Sequence, residues 1–227
     1  MGERRTIIHV NPNLEHQVKI GDALKAGFDR HDKPSEISHK ADTPADLHVV
    51  LGPWFALRQW KHANTLYIDR AYWGDPKCIS IHWLKNGEKH FGRSCNYRSH
   101  PQSKPYKHGD RTIILCDYKQ RPVFEQNIQA TIRLHPSEVK PHRSLEQDLA
   151  NHDIAIGKRT TALVDAAIAG LKVITDDTHS PVWEISNSTS YIKRDQWLVN
   201  LAWHNWSLVE IANGDMWHVL GKADECQ

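Results

Sequence analysis

The chain has 227 residues, 39% of them hydrophobic and 25% charged, with a formal net charge of +2. This is the composition of a globular protein of one large or two small domains, and it excludes a disordered or collagen-like chain. A net charge this small gives no argument by itself for a nucleic-acid partner. No apolar run reaches the length of a membrane span, and the opening MGERRT is not a secretory signal. Cytoplasmic residence is therefore expected.

Taken in chain order, residues 6–10 read as a short strand and 14–28 as an amphipathic helix. The polar stretch 30–44, with two prolines, reads as loop. Residues 47–51 (LHVVL) form an apolar strand closed by Gly52-Pro53, and Pro53 is suited to open a helix over 54–62. Residues 65–68 give a further strand, ending in Asp69-Arg70. Alternation over 78–84, a turn at Asn86-Gly87 and a return over 89–91 spell a hairpin. Residues 93–110 are almost without apolar side chains and read as a linker or mobile loop. The basic side chains here (Arg93, Arg98, Lys104, Lys107, His108, then Arg111) suit an anionic acceptor, or only solvent. The lobe boundary is expected near residue 110.

The second lobe, 111–227, begins with a strand over 112–116 ending in Asp117, followed by a helix over 122–126. A strand over 130–134 ends in His135-Pro136. A helix over 144–150 opens on Ser144, with Gln147 three residues on, a capping-box pattern. A strand over 153–156 ends in Gly157-Lys158-Arg159-Thr160-Thr161. Ala162, Ala166, Ala167, Ala169 and Gly170 let the next helix lie close to a sheet, and 171–175 is a last strand. Helices over 194–204 and 207–212 follow, with Trp197, Leu201 and Trp203 partly on one face.

Strands alternating with helices predict a parallel sheet with crossovers. In such a sheet ligands lie beyond the carboxyl ends of the strands, and there the sequence sets His135 and the run 157–161. Backbone amides and the Thr160 and Thr161 hydroxyls at a helix start can cradle phosphate oxygens. Lys158 and Arg159 supply positive charge, so no metal is expected. The plainer readings are a strand-end turn and a helix cap.

The run IRLHP followed by DIAIGKRTTALVDAAIAGLKVIT resembles the C-terminal lobe of GT-B glycosyltransferases. It is most similar to the bacterial sialyltransferase and capsule-polysaccharide transferase group, over residues 130–175. Members of that group are usually much longer. The resemblance implies an α/β fold of two small Rossmann-like lobes facing a cleft, 1–110 on the acceptor side and 111–227 on the donor side. It implies that His135 and Thr160 or Thr161 contact the phosphates of a nucleotide-sugar donor, with Pro136, Gly157, Lys158 and Arg159 around them. The implied activity is transfer of a sugar to a glycan, a modified DNA base or another acceptor. A nucleotide-sugar epimerase or hydrolase, or a non-catalytic nucleotide- or nucleic-acid-binding protein, are the alternatives.

An inverting transfer needs a base for the acceptor hydroxyl. Asp69, at the end of a strand beside Arg70, is the expected one, and Arg70 and Trp73 are expected on the acceptor. Trp54, Trp60 and Trp83 read as packing residues, as do His48 and His82 within their strands. Asp165, one helical turn after Thr161, faces the threonine pair or nothing, and Asp117 reads as a solvated turn aspartate. Cys78, His82, Cys95 and His100 offer a zinc-like set, but at irregular spacing and without any C-x-x-C pair. Buried cysteine and surface histidine is the expectation.

Overall fold

The computed structural model describes residues 5–40, 43–52, 64–73, 78–85, 88–89, 98–118 and 129–216. The helices expected over 54–62 and 122–126 lie outside the described residues. The chain forms two compact units: residues 1–98 with 200–227, and residues 99–199.

The first unit is built on β1 (Thr6–His9), α1 (Glu15–Asp29), β2 (Ser35–Ser38), β3 (Leu47–Leu51), β4 (Thr65–Arg70), β5 (Cys78–Lys85) and β6 (Glu88–Lys89). β1, β2, β3 and β4 are parallel in the order β2-β1-β3-β4, and β5 adds antiparallel to β4. Alternate residues of these strands (Ile8, Val10, Val49, Leu51, Leu66, Ile68, Ile79, Ile81) form one apolar face. Helix α1 covers it with Leu24 and Phe28, one turn apart and both buried. Full burial of each such side chain is worth about 1.5–3 kcal/mol. The opposite face carries polar groups that are also buried, among them His9, His48, Thr65, Ser80 and His82.

The second unit has β7 (Thr112–Leu115), β8 (Ala130–Arg133), α2 (Leu145–Ala150), β9 (Ile154–Gly157), α3 (Ala162–Ile168) and β10 (Lys172–Ile174). Its sheet is wholly parallel, in the order β8-β7-β9-β10. Ser144 and Gln147 form the expected capping box at the start of α2. α4 (Tyr191–Ala202) leads to β11 (Asn205–Ser207) and α5 (Leu208–Asn213). Among the described residues no helix is long and apolar enough to cross a membrane.

Four expectations are corrected. The stretch read as loop over 30–44 contains β2, which pairs with β1 through Ser35–Ser38; a strand of alternating polar residues at a sheet edge has no apolar run to announce it. The unit boundary lies at 98/99 instead of near 110, and residues 200–227 belong to the first unit because β11 pairs with β5. β4 runs on through Asp69 and Arg70, which pair with Ser80 and Ile79 of β5. The described part of the stretch read as a linker or mobile loop is tied down. The Lys104 and Lys107 amides bond the carbonyls of Ile168 and Gly170, and Tyr106 is buried beneath the Arg194 guanidinium, 3.9 Å from the ring centre. Gly170 fits this join because its φ is +88° and a Cβ there would strike the Pro105 carbonyl.

Candidate functional site

In the second unit the carboxyl ends of four parallel strands share one edge, and the order of connection reverses between β7 and β9. Such a reversal opens a crevice where the two exit segments diverge. Cys116, Asp117 and Tyr118 leave β7, His135 and Pro136 follow β8, 158–161 leave β9, and Thr175, Asp176 and Asp177 leave β10.

Contacts at this edge centre on Arg159. Its amide donates to Asp117 Oδ2 at 3.0 Å, and its Nε donates to Asp177 Oδ2 at 2.6 Å. Asp177 is itself fixed, with Oδ1 accepting the His179 amide at 2.9 Å. Burial would raise the Asp177 pKa. The bonds from Arg159 and the His179 amide, with the Arg159 charge, outweigh it and hold the carboxyl below its ordinary range. At Asp117 burial wins: its pKa is raised despite the Arg159 amide bond and the nearby His135 and Arg159. Lys158 lies 3.6 Å from Asp176, both more than half exposed, a pair of little energetic weight.

His135 sits in a turn closed by the Glu138 amide on its carbonyl. Its Nδ1 accepts the Ser137 amide at 3.2 Å. The Tyr118 ring meets it edge-on, with centroids 5.8 Å apart; Tyr118 is 58% exposed. Pro136 is exposed in the same turn.

The threonine pair divides. Thr160, which precedes the helix, accepts the amide of Ala162, the first residue of α3, on its Oγ1 at 3.3 Å. Thr161 is exposed and makes no side-chain cap. α3 has only 7 residues, so a macrodipole contributes little here. Gly157 is set by packing: a Cβ would lie 2.7 Å from the Leu115 carbonyl of β7. Asp165 is one turn into α3, and burial lifts its pKa to about 6.

In the first unit, Asp69 Oδ2 accepts Lys89 Nζ at 2.7 Å, and Oδ1 accepts the Arg70 amide. The Asp69 side chain is 30% exposed. Arg70 is exposed; Trp73 is half-buried, in a turn fixed by Asn205, which bonds the Tyr72 amide and the Trp73 carbonyl. His82 is fully buried, bonded to the Tyr72 hydroxyl at 3.0 Å and stacked on His204. His48 is buried too, bonded to His9 at 3.0 Å. Cys95 lies outside the described residues, and among those described no group of His, Cys, Asp or Glu could hold a metal ion.

Of the basic stretch, Arg98 stacks on Trp206 and pairs with Glu210, and Lys107 Nζ donates to the carbonyls of Leu149, Ala150 and His152. Arg111 holds buried Asp153 with two side-chain bonds. These three have structural partners. Arg93 lies outside the described residues.

Sequence reasoning missed Asp177 and Tyr118. The signal was present: each follows the end of a parallel strand run, as His135 does, and so falls on the same sheet edge.

No protein-family model matches the chain, and no curated protein matches it. Among solved structures it is similar to KpsC of Thermosulfurimonas dismutans, a beta Kdo 2,7 transferase. The two share 9% identity at a TM-score of 0.50, over 97% of this chain and 99% of that one. The likeness is one of fold: a mixed α/β protein with parallel sheets, of the Rossmann-like kind found in glycosyltransferases.

Proposed function

We propose that the protein is a glycosyltransferase whose donor, a nucleotide-sugar, binds at the β7–β10 edge of the second unit. The observation that carries this reading is the grouping of His135, Lys158 and Arg159 at the carboxyl edge of a parallel sheet. The chain also shares its fold along nearly its whole length with a sugar transferase. In this reading the imidazole of His135 donates to a phosphate oxygen as the glycosidic bond breaks, stabilising the charge that develops on the leaving group. Lys158 and Arg159 balance phosphate charge, so a divalent metal is not needed. Thr161 and Pro136 border the same oxygens, and Thr160 keeps the start of α3 in shape. Asp69 is the proposed base for the acceptor hydroxyl, with Arg70 and Trp73 beside it, and a glycan is the proposed acceptor.

The test is hydrolysis or transfer measured across a panel of nucleotide-sugars, with and without EDTA. Release of nucleotide from at least one donor, undiminished by the chelator, supports the reading. Loss of turnover in EDTA with recovery on adding magnesium or manganese removes the metal-independent mechanism. Silence across the panel, with no nucleotide bound, removes the whole proposal.

A further inference from the structure

We propose that Asp177 and Asp117 are positioning residues that hold Arg159 ready for the donor phosphate, an inference that rests on the functional reading above. β9 lies between β7 and β10 in the sheet. The chain leaving β9 is thus flanked by the exits of both neighbours, and each contributes a carboxylate. From the β7 side Asp117 takes the Arg159 amide, and from the β10 side Asp177 takes Nε. The backbone and the side chain of one arginine are fixed separately, by residues 42 and 18 positions away in sequence.

The burial pattern says which partner is the anchor. The Asp177 side chain is 16% exposed and that of Arg159 is 46% exposed. Asp177 is held in turn, its amide on Thr175 Oγ1 at 3.2 Å and its Oδ1 on the His179 amide. A half-exposed arginine otherwise samples many rotamers, and ordering it in advance removes that cost from binding. The neighbouring pair offers a contrast. Lys158 and Asp176 are 3.6 Å apart and 52% and 75% exposed, so Asp176 adds the same charge without fixing its partner.

This contrast gives the test its sign. Simple electrostatics says that removing any carboxylate from the edge strengthens binding of an anion. Positioning says that removing Asp177 weakens it. Wild type, Asp177→Ala, Asp176→Ala, Arg159→Lys and the Asp177→Ala/Arg159→Lys pair are titrated by calorimetry. The probes are cytidine monophosphate, uridine diphosphate and the two unphosphorylated nucleosides. For whichever nucleotide binds wild type, Asp177→Ala is expected to lose roughly tenfold in affinity, while Asp176→Ala binds as well as wild type or better. Nucleoside affinity stays unchanged in both. In the Arg159→Lys background Asp177→Ala costs little more, because the two changes remove one interaction. Should the alanine variant fail to fold, Asp177→Asn carries the same comparison, since its side-chain oxygen can still accept the His179 amide.

Equal or tighter nucleotide binding by the Asp177 variant overturns the inference and leaves the functional reading standing. So does an equal loss for nucleotide and nucleoside. If wild type binds neither nucleotide and the nucleotide-sugar panel is silent, the functional reading fails and the inference falls with it.

Discussion

Ser137 donates its amide hydrogen to Nδ1 of His135 across 3.2 Å. A nitrogen that accepts a backbone N–H carries no proton, so the neutral ring keeps its proton on Nε2. The ring is therefore a donor through its far nitrogen. His135→Ala should weaken binding of a nucleotide by about 1–3 kcal/mol, the scale of one hydrogen bond to a charged group. Calorimetry showing wild-type affinity in the variant would remove His135 from the phosphate site.

Asp69 meets the acceptor-base proposal already paired with Lys89. Asp69→Asn keeps size and removes basicity. It should slow turnover by about 10²–10⁴-fold with donor affinity nearly unchanged. A structural role for the pair predicts otherwise: Asp69→Asn and Lys89→Met would lower stability alike and turnover little. Steady-state kinetics alongside urea unfolding separates the two.

Asp165 has its pKa raised by burial to about 6 from an ordinary 3.8. The folded protein therefore holds this proton more tightly than the unfolded chain does. As pH rises from the lower value through the upper one, folded protein loses stability, and above about 6 the whole penalty is present. Asp165→Asn should be more stable than wild type at pH 7.5, by about 1–3 kcal/mol, and the gap should close as pH falls toward 4. Urea melts of both proteins across that range check it; a gap that does not change with pH refutes the assignment.

Gly157→Ala places a methyl 2.7 Å from the Leu115 carbonyl. Backbone cannot swing aside as a side chain can, so β9 must shift from β7. A loss of about 1–3 kcal/mol in unfolding free energy is expected. Unchanged stability would mean that the strands have room the geometry denies.

The parts legible in the sequence were those with period and punctuation. The apolar runs at 47–51, 112–116 and 153–156 became strands, Ser144 and Gln147 became a capping box, and Asn86-Gly87 falls between β5 and β6. β2 was not legible, because SEIS alternates without an apolar pair and owes its strand to the edge of β1. The strand role of residues 205–207 depends on pairing with residues 78–80, a partner no local window contains. At the site, the exits of β8 and β9 could be read because His-Pro and Thr-Thr stand out. Asp177 could be placed on that edge by its strand end, but not its bond to an arginine leaving another strand, which no local pattern marks. Thr160 or Thr161 is expected on the phosphates; Thr160 Oγ1 accepts the Ala162 amide, a bond that leaves its O–H able to donate, and helix starts and anion sites draw on the same residue types.

The pairing of β11 with β5 also bears on how the chain is made. Residues 99–199 form one uninterrupted stretch, and all four strands of their sheet precede residue 205 in the chain. The first unit began earlier but must wait: its β5 gains the neighbour at Cys78–Ser80 only when residues 205–207 appear. Among the described residues no other strand pairs with that part of the edge, and an edge left open can join a strand from another chain. The segment synthesised second is thus the first able to finish, and a chain cut short before β11 leaves the earlier-made half with an adhesive edge.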